Sequence, residues 1–152
     1  MAPLKLQIGT DSFPWIIKGV DYQALAGQLA GATGPVVVPV TSPLQGRLVL
    51  STAAGSAALS QPDAMGWNPS DTPQPAFPVL YTPSGTTPTA ADPGLWLETG
   101  TDVAALEQKI VTAMSTDGSL SVAFWQGMFR GQVVLRGATL PYAVLCPQAP
   151  TA

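Results

Sequence analysis

The stretch from Trp15 to Pro62 is written twice, and this repetition constrains the fold more than any other feature of the chain. Trp15, Gly19, Asp21, Ala24, Leu25 and Ala32 recur 81 positions on as Trp96, Gly100, Asp102, Ala105, Leu106 and Ala113. The match resumes at an offset of 85. There Val37, Gly46, Val49, Leu50, Ala53, Ala58 and Pro62 recur as Val122, Gly131, Val134, Leu135, Ala138, Ala143 and Pro147. A four-residue insertion in the second copy therefore separates its helix-like piece from its first strand-like piece.

Hydrophobic periodicity fills in the unit. Leu4 to Ile8 alternates apolar and polar residues, as a half-buried strand does. Phe13 to Ile17 reads as a second short strand, stopped by Gly19. Asp21 is placed to cap a helix, accepting from the free amides of its first turn. Tyr22, Leu25, Leu29 and Ala32 fall on one helical face. Gly27 and Gly31 weaken that helix by up to about 1 kcal/mol each, so packing has to hold it, and Gly34-Pro35 stops it. Val36 to Val40, Gly46 to Ser51 and Ser56 to Ser60 read as three strands. Pro39 cannot donate to a ladder, which places its strand at an edge or a bulge. The short links between these strands favour antiparallel neighbours.

The second copy reads the same way. Phe77 to Tyr81 and Leu95 to Leu97 are strands, and Asp102 is the cap. Val103, Leu106, Ile110 and Met114 form the buried helical face, with Glu107, Gln108 and Lys109 mostly outside. Gly118 suits the left-handed turn that ends the helix. Leu120 to Trp125, Gly131 to Arg136 and Tyr142 to Cys146 are the closing strands. The fold class expected is α+β: two pseudo-symmetric β-β-α-β-β-β repeats (1–62 and 77–147) with antiparallel sheets and two helices in one layer. Both lie in one domain, 1–152. A proline-rich arm (63–76), a second loop (82–94) and a short tail (148–152) complete it. Half of the sixteen prolines lie between Pro62 and Pro93, and they stiffen these segments into extended conformations. Trp67, inside the arm, predicts that the arm lies against something.

Composition decides what such a chain can do. Apolar residues make up 46% and charged residues 10%, against about 25% charged in average soluble proteins. A surface this poor in charge suits a subunit inside an assembly, because the centres of interfaces are depleted in charge. The net charge is −3, and six basic residues are scattered singly. Nucleic-acid binding needs several phosphates neutralised in one place, so no nucleic-acid partner is expected. No apolar run approaches the roughly 20 residues of a membrane span, and the N-terminus lacks the basic start and apolar stretch of a secretory signal.

The chemistry available is narrow. Without a histidine the commonest general base and the usual zinc ligands are missing. The single cysteine, Cys146, sits in an apolar run and reads as a buried small hydrophobe. No phosphate-binding glycine loop is present. Asp21 and Asp102 are explained as equivalent caps, and the remaining aspartates as turn formers. No catalytic residue, metal ligand or cofactor is expected. The aromatic residues carry the remaining signal. Trp15 and Trp96 are expected in the core. Trp125, Met128, Phe129 and Arg130 cluster at the Gln126-Gly127 hairpin and have the composition of an interface anchor. With Trp67 they form the candidate interface.

The order of a helix followed by three antiparallel strands, written twice, resembles the topology of sliding DNA clamps. In clamps the helices carry basic residues toward DNA. Here Asp21 to Gly34 has none and Asp102 to Met114 has only Lys109. In size and composition the whole chain resembles the decoration, or cement, proteins of tailed-phage capsids. That resemblance lies in no single motif and brings no site residue with it. It implies a structural, non-catalytic homo-oligomer, a trimer favoured, located on the virion's outer capsid surface (otherwise cytoplasmic) and partnered by a larger shell protein such as a major capsid protein. The competing readings are a protein- or carbohydrate-binding module using the aromatic hairpin, a clamp-like accessory protein, and, last, an enzyme working with carboxylates.

Overall fold

A computed structural model describes residues 1–64 and 66–149. Among them are ten strands and two helices, an α+β fold with antiparallel sheets. The first stretch runs β1 (Leu4–Ile8), β2 (Trp15–Ile17), α1 (Tyr22–Gly31), β3 (Val36–Val40), β4 (Gly46–Leu50) and β5 (Ala57–Ser60). The second runs β6 (Val79–Tyr81), β7 (Leu95–Trp96), α2 (Val103–Thr116), β8 (Ser119–Gln126), β9 (Phe129–Arg136) and β10 (Tyr142–Cys146).

Local chemistry accounts for the helices. The Asp21 carboxylate accepts from the Ala24 amide at 2.9 Å, and the Asp102 carboxylate from the Ala105 amide at 3.0 Å. Each satisfies a donor that the first helical turn leaves free. At the end of α2 the left-handed residue is Asp117 (φ 54°), one position before the glycine that the sequence pointed to. Aspartate tolerates this conformation better than most side chains, and the Gly118 amide then donates to the Ala113 carbonyl at 3.0 Å.

The strand pairing departs from the sequence reading in one important respect. β3–β4 and β8–β9 are hairpins, as their short connections require, and the Pro39 strand β3 ends the larger sheet. The third strand of each set, however, leaves its hairpin. β5 pairs with β1, and β10 inserts between β4 and β6. The helix followed by a three-stranded meander, the feature shared with clamps, is therefore not formed. The hydrogen-bonded orders are β2-β1-β5 and β3-β4-β10-β6-β7-β8-β9, linked by a bridge between Ile16 and Ser42. A short connection permits a hairpin but cannot prevent a strand from finding more apolar neighbours. All five residues of β10 are buried, which a central position allows and a hairpin edge would not.

The two sheets pack face to face. Trp15 on β2 meets Tyr81 at 5.6 Å and Tyr142 at 6.0 Å between ring centres, with Phe13 at 5.5 Å. Leu4, Leu6, Leu48, Val79 and Val144 fill the space around these rings. α1 closes this core with Leu25. α2 packs in a separate apolar cluster, where Leu106 and Ile110 meet Val49, Leu80, Ala143 and Leu145. In place of the single helix layer expected, each helix belongs to its own cluster. Glu107 corrects a second expectation, because it is buried rather than outside. Its carboxylate accepts from Arg47 Nε at 2.6 Å, tying α2 to β4.

The proline-rich arm (63–76) has no regular secondary structure among its described residues and returns to its own domain. Lys18 meets Asp71 at 2.7 Å, and the Thr72 amide donates to the Thr41 carbonyl at 2.8 Å. The Ala149 amide donates to the Pro75 carbonyl at 2.9 Å. No helix of the described residues is long and apolar enough to cross a membrane.

Candidate protein–protein interface

The β8–β9 hairpin is the most exposed apolar feature described. Eight residue pairs hold it, from Ser119 with Arg136 to Gln126 with Phe129. Two residues, Gly127 and Met128, make the turn. Gly127 has φ 60°, the positive value that a tight hairpin of type II′ needs at its first central position and that glycine adopts without strain.

One face of the hairpin is locked beside its turn, where Trp125 pairs with Arg130. Trp125 stacks on Trp96 with centroids 5.7 Å apart and planes at 19°, and Phe77 meets Trp125 edge-on at 5.3 Å. The indole N–H of Trp125 donates to the Leu97 carbonyl at 3.3 Å. Trp125 is thus a half-buried packing residue, and Trp96 is half-buried rather than core. The tip is the opposite: Met128 is 89% exposed and Phe129 74%. Arg130, also exposed, pairs with Glu98. An ion pair between two exposed side chains contributes little to stability.

The structure separates the candidate residues into two places. Met128, Phe129 and Arg130 form the tip. Trp67 sits elsewhere, with Lys5 Nζ 5.3 Å from its ring centre, a cation–π arrangement. There it lines an open groove of about 420 Å³ with Lys5, Ser60, Pro62 and Asp63. Two features were missed by the sequence reading. One is this groove, which depends on how the arm turns after β5. The other is Val134, 55% exposed on β9. Its alternation with the buried Leu135 carried that signal, but the edge position of β9 did not show in the sequence.

The chain matches no protein-family model, no curated protein and no solved structure.

Among the described residues, no group of three or more His, Cys, Asp or Glu side chains is placed to hold a metal ion. Cys146 is fully buried on β10, and burial pushes its thiol up to about 12. Burial, and then the Asp11 carboxylate that accepts its O–H bond, also raise the Tyr142 hydroxyl above its ordinary range. Both groups are therefore held neutral, which suits packing and not nucleophilic attack. A thiol reagent at pH 8 is expected to leave native Cys146 unmodified and to label it fully in denaturant. The unfolded thiol ionises near 9.0 and the folded one near 12. Its contribution to stability is therefore complete below pH 9 and is lost as the pH rises to 12. Thermal melts across that range should show a falling midpoint.

Proposed function

We propose that this chain is a structural, non-catalytic subunit of a symmetric protein assembly. In this reading it is a decoration or minor capsid protein that binds copies of itself and a larger shell protein at the virion surface. The observation that carries the reading is the exposed Met128–Phe129 tip on a locked hairpin, in a chain whose surface has little charge to keep it apart from other proteins. Apolar anchors of this kind supply most of the energy in protein interfaces. A protein that binds only the assembled shell stabilises it by mass action.

The test is sedimentation velocity across a micromolar range on the natural chain and on Met128→Ser/Phe129→Ser. The natural chain is expected to sediment as an oligomer whose share rises with concentration. The double variant is expected as a monomer with an unchanged circular dichroism spectrum, because neither side chain is buried. A natural chain that stays monomeric at every concentration overturns self-assembly. It would favour the second reading, in which the same tip engages a protein or carbohydrate ligand.

A further inference from the structure

We propose that copies of this chain join head to tail, with the β9 edge of one copy pairing antiparallel to the β5 edge of the next. The proposal deepens the assembly reading above and rests on it. It starts from a seam inside the chain. There β10 pairs antiparallel with β4, setting Tyr142 opposite Leu50, Ala143 opposite Val49, Val144 opposite Leu48 and Leu145 opposite Arg47. The sequence match at an offset of 85 relates β4 to β9 and β5 to β10. The strand partners agree with it: β1 pairs with β2 and β5, and β6 pairs with β7 and β10. The β4–β10 seam thus has a counterpart, β9 with β5, that the single chain leaves open. Among the described residues β9 pairs only with β8, and β5 only with β1. Both edges present backbone donors and acceptors, and an eight-residue edge without proline is a template for another strand.

The counterpart has a definite register. Ala57 falls opposite Leu135, Ala58 opposite Val134, Leu59 opposite Val133 and Ser60 opposite Gln132. Ala58 and Val134 are exposed in the free chain. Continued past the strand ends, the same register sets Arg130 opposite Pro62 and Phe129 opposite Asp63. The exposed tip of one copy therefore arrives at the open groove lined by Pro62, Asp63 and Trp67 of the next. Arg130 arrives beside an acid. A protruding aromatic and a groove of about 420 Å³, found on opposite edges and brought together by an independently derived register, are what a head-to-tail contact needs.

The contact is weaker than its internal template. The Arg47–Glu107 ion pair has no equivalent, since the matched positions are Gln132 and Ala26. Ala57 and Ser60 stand where β10 has Tyr142 and Leu145. Association is therefore expected to depend on concentration.

The experiment is oxidative cross-linking with Ala58→Cys and Val134→Cys, combined with sedimentation velocity. The buried Cys146 leaves the two introduced thiols as the reactive pair. The double variant is expected to give a ladder of linked multimers, an equal mixture of the single variants to give dimers, and neither single variant alone to link. An oligomer in the centrifuge with no link between positions 58 and 134 overturns this seam and leaves the assembly reading standing. A monomer at all concentrations, without links, overturns both.

Discussion

Trp15→Ala is expected to lower stability by about 3–5 kcal/mol, the range for deleting a large aromatic from a packed core. Trp15 is fully buried and lies at the centre of the contact between the two sheets. Its ring meets Phe13, Tyr81 and Tyr142, which come from the β1–β2 connection, β6 and β10. Removing it leaves a cavity that three rings cannot close without moving strands of both sheets, and aromatic pair contacts of about 0.5–1.5 kcal/mol each are lost as well. Natural domains have a total stability of about 5–15 kcal/mol, so the variant should be marginal at room temperature. Urea unfolding followed by circular dichroism measures the difference. A loss under about 1 kcal/mol would mean that the sheets are not held together through this ring.

Gly46→Ala is expected to cost about 3 kcal/mol, and Gly131→Ala, at the matched position, less than about 1 kcal/mol. A methyl group on Gly46 would sit 2.3 Å from the Leu145 carbonyl oxygen and 2.9 Å from its carbon. Those atoms belong to the backbone of β10, so relief requires the central seam of the larger sheet to move, at the upper end of overpacking costs. A methyl group on Gly131 would meet only the Phe124 ring, at 3.4 Å, an ordinary contact in the free chain. If β9 pairs with β5 of another copy, Gly131→Ala should instead weaken association, since Gly131 would then stand where Gly46 stands in the seam. Unfolding and sedimentation on the same two variants separate the effects. Equal losses of folding stability would show that the two glycines meet similar surroundings within one chain.

Local chemistry was legible in the sequence wherever near neighbours decide it. The aspartate caps, the alternation of Leu4 to Ile8, the position of Pro39 and the burial of Cys146 depend on residues within a turn or a strand of each other. The sequence therefore shows them directly. The burial of Glu107 is not legible in the sequence because its partner Arg47 lies sixty residues away. Helical periodicity places a carboxylate on a face but cannot supply the guanidinium that makes burial tolerable. The packing of Trp125 is hidden for a related reason. Beside Met128 and Phe129 in sequence this residue looks like part of one exposed tip. The register, however, sets Trp125 opposite Arg130 and Gln126 opposite Phe129, so Trp125 and Phe129 lie on opposite faces of the hairpin, and the Trp125 face is covered by Trp96 and Phe77.

The sequence by itself determined the α+β class, the order of elements, the two helix starts and the low content of charge. Periodicity, capping and composition are properties of short stretches, and they survive whatever the stretches later pack against. Only the tertiary structure decided that β5 and β10 leave their hairpins, that each helix lies in its own cluster, and that β9 and β5 are open edges among the described residues. Strand pairing is a competition among distant segments for the same backbone donors and acceptors. The outcome follows from how much apolar surface each arrangement buries, and that sum is taken over the whole chain.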